Sequence, residues 1–391
     1  MKPRLLFLID EDRDFCSHRF DLGRAARDAG FEVLVATHVQ HHGKQIEDEG
    51  FKLFPIRLRR GLQSPFHDLR SLIELVRLYR AEVPDIVHHV ALKQVLVGSL
   101  AARIVRVPAM VNAITGLGYM FQPGARSRTL LRLISPVLRW ALARPRSAVI
   151  FQNKDDCEDL VRTGVVNRSH AVIIRGAGVN VSQFCPSPEP EGVPVVVLAS
   201  RLLRDKGVGE FVTAARLLGA SGIETRCVLV GMVDKENPSS FAEMDVRRWA
   251  SEGFVEWWGQ RDDMPDVFAS CHVVVLPSSY GEGLPKVLLE AAACARPLIA
   301  THIRGCREIV RDGENGLLVP PKDPHALAEA IMKLVHNKPL RDRMGARGRE
   351  IVLNEFTADR IAGETIAVYR RLLKNNQIQV SSKPINSWTE M

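Results

Sequence analysis

The sequence predicts an α/β protein with two facing domains, each built on a parallel sheet covered by helices. Short, continuous apolar runs typical of buried strands alternate with helical patterns along the chain. At 391 residues, the chain exceeds the usual size of a single hydrophobic core. The proline-rich segment 186–194 interrupts the alternation near the middle of the chain, and we interpret it as the interdomain linker.

In the first half, assigned to a domain over 1–185, buried runs predict strands that pair in parallel because helices separate them. The predicted strands are 5–9, 32–36, 86–89, 107–113, 148–152 and 171–174. The clearest helical patterns are 20–29 and 95–103, and the second strand is expected to run into a loop.

The second half repeats the theme in a domain over 195–356. Its predicted strands are 195–199, 226–230, 255–258, 273–276, 297–300 and 316–319. A final helix is predicted over 357–374. The segment 375–391 is polar and lacks periodicity, so we predict that it is disordered.

Composition excludes several classes of protein. The chain is 46% hydrophobic, which is typical of globular domains, and its seven cysteines include no C-x2-C pair, which indicates reduced thiols in a cytoplasmic setting. No apolar run approaches the roughly 18 residues of a membrane span. The net charge is +8, yet the arginines alternate with leucines rather than with stacking aromatic residues, which argues against nucleic-acid binding.

A glycine-rich loop that leads into a helix carries two glutamates, Glu282 and Glu290, eight residues apart. Gly281 and Gly283 allow close approach of the backbone to a ligand, and Pro285 suits a first helical turn, where no amide hydrogen is needed. Free amides at a helix start attract an anion. Glu290, expected about two turns into the helix, can accept hydrogen bonds from ribose hydroxyls. The segment therefore predicts a sugar-nucleotide site.

Two basic residues, Arg201 and Lys206, follow the predicted strand 195–199. Ligands in open α/β sheets bind beyond the carboxyl ends of the strands, so these side chains are placed to converge on a diphosphate, although a solvated basic turn would have the same sequence. Gly231 ends the strand 226–230 and would leave room for a nucleotide. No Asp-x-Asp follows a strand of the second half, and Arg201 and Lys206 can neutralise the leaving group, so we predict that no metal is required.

Together these motifs resemble the retaining glycosyltransferases of family 4, which have the GT-B fold. The loop is similar to the family's E-x7-E signature, Arg201 and Lys206 to its Arg-x4-Lys clamp, and 305–310 and 312–319 to its closing elements. The resemblance implies that the final helix crosses back to the first domain. It assigns Glu290 to the ribose, Leu284 and Pro285 to the pyrophosphate region, and Glu282 to hydroxyls of the transferred sugar.

The resemblance also implies retention of configuration, by front-face attack in which the donor phosphate helps to deprotonate the acceptor. A covalent intermediate on Glu282 is the alternative. In the first domain, His88 and Lys93 match a family stretch that contains two histidines, but Val90 stands at the second histidine position. His89 is an alternative candidate. Adjacent strand residues face opposite sides, so only one of His88 and His89 is expected to reach the cleft.

Four further segments, 17–20, 112–121, 152–153 and 176–180, resemble bacterial members of the family that extend polyprenyl-diphosphate-linked oligosaccharides. The resemblance implies that these segments contact the acceptor, although the glycines among them also fit a plain turn. The candidate acceptor-binding residues, with Lys93, are His18, Thr115, Gly116, Gly118 and Asn153.

Residues 126–146 are basic and apolar with no acidic residue, which predicts an amphipathic helix on a membrane. Each arginine would contribute about 1 kcal/mol near anionic headgroups. The alternative is a core helix with arginines on its wet face. The candidate membrane-contacting residues are Arg126, Arg128, Arg132, Arg139 and Trp140.

We therefore predict a peripheral enzyme on the cytoplasmic face of the plasma membrane, which transfers a hexose or N-acetylhexosamine from a UDP-sugar to a polyprenyl-diphosphate-linked sugar. Guanine remains open as the base. The alternatives are an enzyme similar to UDP-N-acetylglucosamine 2-epimerase, and a non-catalytic scaffold that binds nucleotide sugars.

Overall fold

In the computed structural model, the chain forms two α/β domains joined by the linker. The structure describes residues 2–57, 65–116, 135–234, 237–279 and 281–378. Both sheets are entirely parallel, and helices cover both faces of each, as the continuous apolar strands predict. The predicted fold class is confirmed.

The first sheet has seven strands in the order β3-β2-β1-β4-β5-β6-β7. The strands are β1 Arg4–Glu11, β2 Glu32–His38, β3 Lys52–Pro55, β4 Ile86–Val90, β5 Ala109–Ile114, β6 Ser147–Phe151 and β7 Ala171–Ile173. The helices are α1 Asp12–His18, α2 Phe20–Asp28, α3 Gly43–Asp48, α4 Pro65–Glu82, α5 Leu92–Val105, α6 over 135–142, and α7 Lys154–Arg162.

The second sheet has six strands in the order β10-β9-β8-β11-β12-β13. The strands are β8 Val195–Ala199, β9 Arg226–Val230, β10 Glu256–Trp257, β11 Val273–Leu276, β12 Leu298–Thr301 and β13 Gly316–Val319. The helices are α8 Val208–Ala220, α9 Glu243–Ser251, α10 Met264–Ala269, α11 Lys286–Ala293, α12 Arg304–Arg307, α13 Pro324–Val335, α14 Lys338–Glu355 and α15 Ala358–Ile378.

Helix α15 leaves the second domain and packs on the first, as the resemblance implies. Its Ile366, Tyr369 and Leu372 belong to the same buried cluster as Phe7 and Phe31 of the first domain. The Tyr369 and Phe31 rings meet edge to face, with centroids 5.9 Å apart. The helix ends at Ile378, so it extends into the segment predicted to be disordered, and 379–391 lie outside the described residues.

Buried arginines attach the linker to the second domain. Arg296 donates hydrogen bonds to the Ser187 hydroxyl at 2.7 Å and to the Pro188 carbonyl at 3.2 Å. Arg341 donates two hydrogen bonds to the Glu189 carboxylate, at 2.5 and 3.0 Å. Hydrogen bonds of this charge-assisted kind are stronger than neutral ones, so the linker is held along the second domain.

Strand β3 and helices α3 and α4 occupy the region that was predicted only as a loop. β3 is an edge strand whose Lys52 and Pro55 are exposed, so it lacks the continuous apolar run that marks a buried strand.

In the described part of the chain, no helix is both long and apolar enough to cross a bilayer.

Candidate active site

The loop that carries Glu282 is held by both domains. It belongs to the second domain, where it follows β11, but it lies against the carboxyl ends of β5 and β6 in the first. The Leu284 amide donates to Gln152 Oε1 at 3.0 Å, and Asn153 Nδ2 donates to the Gly283 carbonyl at 3.3 Å. Asn153 is fully buried and also caps α7. The two domains therefore meet directly at the candidate catalytic loop.

Backbones approach so closely at this meeting point that side chains are excluded. A Cβ on Gly283 would lie 1.9 Å from the Thr115 carbonyl oxygen, and one on Gly116 would lie 2.8 Å from the Gly281 carbonyl oxygen. Gly116 also has a φ of +147°, which side chains rarely adopt. The predicted acceptor residues Thr115 and Gly116 thus lie beside the donor loop.

Ion pairs reinforce the same interface beside the loop. Arg304 Nη1 of α12 lies 3.2 Å from Asp156 and 2.5 Å from Asp159, and Arg307 lies 2.7 Å from Asp155. The three carboxylates belong to α7 of the first domain. Asp156 is buried, so its pairing with Arg304 is the least screened by solvent.

Glu282 is hydrogen-bonded to the predicted phosphate-binding lysine. Its Oε1 accepts from Lys206 Nζ at 2.5 Å and from the Ser278 hydroxyl at 2.6 Å. Gly207, with a φ of +74°, forms the turn after Lys206, and a Cβ there would lie 2.1 Å from the Pro277 carbonyl oxygen. An ammonium group has three donors, so Lys206 retains donors for a ligand while it contacts Glu282.

Arg201 lies at the end of β8 with a partly exposed side chain. Its Nη1 is 3.0 Å from Asp234, and 42% of the side chain is accessible, which leaves the guanidinium reachable by a ligand. Gly231 lies nearby with a φ of +136°, and a Cβ there would lie 1.9 Å from the Ser200 carbonyl oxygen. Convergence of Arg201 and Lys206 on one diphosphate remains a prediction.

Glu290 lies in α11 and pairs with a lysine that the sequence analysis missed. Lys286 Nζ is 2.9 Å from Glu290 Oε1, and both side chains are largely buried. The helix begins at Lys286, with Pro285 as its N-cap, so Glu290 lies little more than one turn into it rather than about two. The i,i+4 spacing of the two charges was the available signal.

The two candidate histidines of β4 face opposite sides of the sheet, and both are buried. His89 Nδ1 is 2.8 Å from Asn112 Oδ1, and its Nε2 is 3.1 Å from the Tyr79 hydroxyl. His88 Nδ1 is 2.5 Å from the Tyr369 hydroxyl of α15. Burial lowers the pKa of His89 to about 4 and that of His88 well below its usual value, so both rings are neutral at physiological pH.

Of the remaining first-domain candidates, the structure describes His18 and Lys93. His18 is exposed at the end of α1, and its Nδ1 lies 2.5 Å from the Ser17 hydroxyl. Lys93 Nζ is 3.0 Å from Asp68 Oδ1. Gly118 lies outside the described residues.

Of the predicted membrane residues, Arg126, Arg128 and Arg132 lie outside the described residues. Arg139 and Trp140 lie on α6 and are exposed, Trp140 to 54%. The Arg103 guanidinium stacks 4.3 Å above the Trp140 ring. Within the described ranges, no group of three or more His, Cys, Asp or Glu side chains is arranged to hold a metal ion.

Comparison with known proteins decides the family. Residues 4–153 match the model of glycosyl transferase 4-like domains, and residues 182–351 match that of glycosyl transferases group 1. The putative glycosyltransferase EpsD of Bacillus subtilis is 30% identical over 94% of this chain and 97% of its own length. The chain belongs to the group 1 glycosyl transferases. It is therefore an enzyme, and the predicted transferase activity is confirmed.

Two relatives of this glycosyltransferase carry more specific names. The N,N'-diacetylbacillosaminyl-diphospho-undecaprenol alpha-1,3-N-acetylgalactosaminyltransferase of Campylobacter jejuni is 26% identical over 95% of this chain and 100% of its own. The UDP-Gal:alpha-D-GlcNAc-diphosphoundecaprenol alpha-1,3-galactosyltransferase of Escherichia coli is 24% identical, over 74% of this chain and 76% of its own.

Solved structures share the GT-B fold of the glycosyltransferase. The sucrose-phosphate synthase of Thermosynechococcus elongatus superposes with a TM-score of 0.77 at 22% identity, over 96% of this chain and 100% of its own. Anabaena Alr3699/HepE in complex with UDP and glucose superposes with a TM-score of 0.74 at 20% identity, over 94% and 99%.

Proposed function

We propose that this glycosyltransferase moves a hexose or N-acetylhexosamine from a UDP-sugar to the sugar of a polyprenyl-diphosphate-linked acceptor in surface glycan assembly. The observation that carries the proposal is the contact between Lys206 and Glu282, whose loop both domains hold. Two relatives are named for transfer to diphospho-undecaprenol sugars, one of them from UDP-Gal.

In the proposed reaction, the charged residues of the second-domain site bind different parts of the donor. Glu290 accepts hydrogen bonds from the ribose, while Arg201 and Lys206 take up the charge that develops on the leaving diphosphate. When Lys206 turns to the phosphate, Glu282 is released to accept hydrogen bonds from the transferred sugar. The lysine and arginine supply the neutralising charge, so the reaction requires no metal.

The contacts of Glu282 favour front-face attack, with retention, over a covalent intermediate. Its Oε1 accepts a hydrogen bond from Ser278 and, once Lys206 has turned to the phosphate, Glu282 accepts others from hydroxyls of the transferred sugar; such contacts lower the nucleophilicity of a carboxylate. On this route the acceptor hydroxyl attacks from the face that the diphosphate leaves, and a donor phosphate oxygen takes its proton.

The membrane contact proposed for this enzyme is on its first domain. Trp140 and Val137 of α6 and Ile104 of α5 are exposed apolar side chains, and Arg103 and Arg139 lie beside them. An aromatic ring among arginines suits the boundary between anionic headgroups and acyl chains. This surface would hold the enzyme at the cytoplasmic face of the membrane, where lipid-linked acceptors are extended.

The first experiment measures nucleoside diphosphate release from UDP- and GDP-sugars, with and without polyprenyl-diphosphate-linked sugars. The wild-type protein should release UDP only when an acceptor is present. Glu282→Gln keeps the size of the side chain but removes its charge, and it should lower kcat at least tenfold. Glu314→Gln changes an exposed carboxylate paired with Arg347, and it should leave the rate unchanged. Full activity of Glu282→Gln, or turnover of the donor without an acceptor, would contradict the proposal.

The membrane contact is tested separately by co-sedimentation with vesicles that contain an anionic phospholipid. Trp140→Ala should reduce the bound fraction severalfold. Met244→Ala, at a residue 79% exposed on the second domain, is the matched control and should have no effect. Equal binding by the two variants would exclude this surface as the membrane contact.

A further inference from the structure

Asp156, in the first turn of α7, is a buried carboxylate with a hydrogen bond to each of its oxygens. Only 5% of the residue is accessible. Oδ2 accepts from Asn153 Nδ2 at 2.9 Å, and Oδ1 accepts from Arg304 Nη1 at 3.2 Å. Because Arg304 begins α12 of the second domain, this carboxylate bridges the two domains. Burial strengthens both contacts, since little water competes for the charge.

The contact with Asn153 leads to the loop that carries Glu282. The Asn153 side-chain nitrogen donates one hydrogen bond to Asp156 and another to the Gly283 carbonyl, at 3.3 Å. The Asn153 side-chain oxygen accepts from the Asp156 main-chain amide at 2.8 Å. If the side-chain amide were turned over, its oxygen would face a carboxylate and a carbonyl, which can only accept. Asp156 therefore fixes the one orientation in which Asn153 can hold Gly283.

The contact with Arg304 leads to the same loop from within the second domain. Gly305, the next residue of α12, packs directly on the loop. A Cβ on Gly305 would lie 2.4 Å from the Gly283 carbonyl oxygen and 2.6 Å from that of Glu282. Since no side chain separates the two backbones, a shift of α12 must displace the loop. Asp156 thus contacts both supports of the loop, one in each domain.

A second ion pair joins the same two helices but lacks these connections. Arg307 of α12 lies 2.7 Å from Asp155 of α7, and 42% and 49% of these side chains are accessible. Among the described residues, neither side chain is hydrogen-bonded to the loop. Exposed pairs of this kind contribute little to stability. The pair therefore provides a matched control for the buried contact of Asp156.

We propose that Asp156 is a positioning residue for glycosyl transfer. It orients Asn153 in the first domain and holds α12 through Arg304 in the second, and these two supports fix the loop so that Glu282 meets the transferred sugar. The carboxylate acts through its neighbours and does not touch the substrate. The inference rests on the proposed function for the role of Glu282 at the sugar and for the substrates of the kinetic test.

The kinetic test compares Asp156→Asn with Asp155→Asn in the full-length protein. Asp156→Asn keeps the shape of the side chain but replaces one of its acceptors with a donor. It should lower kcat at least tenfold, while the KM for the UDP-sugar should rise less than threefold, because the predicted contacts of Glu290 and Arg201 stay in place. Asp155→Asn should leave both constants within twofold of the wild type. Equal kinetics for the two variants, or a change in KM alone, would overturn the proposal.

A double-mutant cycle tests whether Asp156 acts through Arg304. Arg304→Met changes a side chain that is 45% accessible, and it should lower kcat at least threefold. The double variant should lose less than the product of the two single effects, because both remove the same contact. Independent, multiplicative effects would overturn the proposal. If Asp156→Asn does not fold, Arg304→Met is compared with Arg307→Met instead, and equal kcat values for these two variants would overturn the proposal.

Hydrogen exchange without substrates separates this inference from the proposed function. The Leu284 amide donates to Gln152 across the domain interface, so its exchange reports whether the first domain holds the loop. Asp156→Asn should speed exchange in peptides covering 281–285 at least fivefold and leave β1 unchanged, whereas Asp155→Asn should change neither. Unchanged exchange in the loop, or faster exchange throughout the first domain, would overturn the proposal. If the wild type transfers no sugar, the proposed function fails, but the exchange measurement still decides whether Asp156 holds the loop.

Discussion

Replacing Gly283 with alanine should separate the two domains at the catalytic loop. The new Cβ would lie 1.9 Å from the Thr115 carbonyl oxygen and 2.3 Å from Gln152 Oε1, whereas ordinary contact begins at 3.4 Å. The Gln152 side chain can move, but the Thr115 carbonyl belongs to the main chain of the other domain. The loop must therefore move away by about 1.5 Å, which breaks the hydrogen bonds from Leu284 to Gln152 and from Asn153 to Gly283.

The size of the effect follows from the cost of that clash. Overpacking of this kind typically costs about 1–3 kcal/mol. If the closed arrangement is the one that reacts, that cost lowers its population, and kcat/KM should fall by about 5- to 150-fold. UDP affinity should fall less than kcat/KM, because the predicted contacts of Glu290 and Arg201 stay in place and only the part of the loop near the pyrophosphate, Leu284 and Pro285, is displaced.

The assay combines steady-state transfer kinetics, UDP titration and the radius of gyration from small-angle X-ray scattering. Gly363→Ala is the matched control, because a Cβ added there on α15 would meet nothing within 4 Å beyond its own helix backbone. It should leave activity unchanged and stabilise the helix by up to about 1 kcal/mol. If Gly283→Ala kept kcat/KM within twofold of the wild type, contact between the domains at this loop would not be part of the reaction.

Buried polar groups give three shorter predictions. The pKa of His89 is about 4 in the fold and 6.5 in the unfolded chain, so the free energy of unfolding should fall as the pH drops below about 6.5, by up to about 3 kcal/mol at pH 4. His89→Gln should flatten this pH dependence, measured by urea unfolding. An unchanged pH dependence would contradict the assignment. Arg341→Met should destabilise the protein by about 3–5 kcal/mol in the same assay, because the Leu334 and Val335 carbonyls lose their donor and Glu189 keeps only the exposed Lys338 as a partner, and a loss below about 1 kcal/mol would show that the linker is not held there. Asn153→Asp should lower kcat/KM about tenfold by removing an N–H donor to the loop, at unchanged UDP affinity, whereas Asn167→Asp, at an exposed cap, should match the wild type.

The second domain was predicted more completely than the first, for a physical reason. Strands β9, β11 and β13 match their predicted limits, because an apolar run that the sheet buries is visible in the sequence. Strand β3 was missed because an edge strand with exposed ends has no such run. Boundaries near turns, such as the start of α11, depend on local backbone geometry that composition does not specify.

For the candidate site, the sequence identified the residues more reliably than it identified the contacts between them. Glu282 and Lys206 were both candidates, but their contact joins residues 76 positions apart, which no periodicity reports. Ser278 and Lys286 were missed although each lies only four residues from its glutamate, and for Lys286 the i,i+4 spacing of opposite charges was a usable signal. The burial of both candidate histidines also depends on tertiary packing, since Tyr79, Asn112 and Tyr369 surround them only after folding.

The contacts of Glu282 couple donor binding to domain closure in the proposed reaction. Without a ligand, the carboxylate is held by Lys206, while the loop that carries it is held by Gln152 and Asn153 of the first domain. A diphosphate that attracts Lys206 frees Glu282 for the sugar, and Glu282 is correctly placed only while the first domain holds the loop. Such coupling is reciprocal, so an acceptor that favours closure must also tighten donor binding. Because Gly283→Ala weakens closure while it leaves the predicted contacts of Glu290 and Arg201 in place, it should reduce this mutual enhancement more than it reduces the affinity for UDP alone.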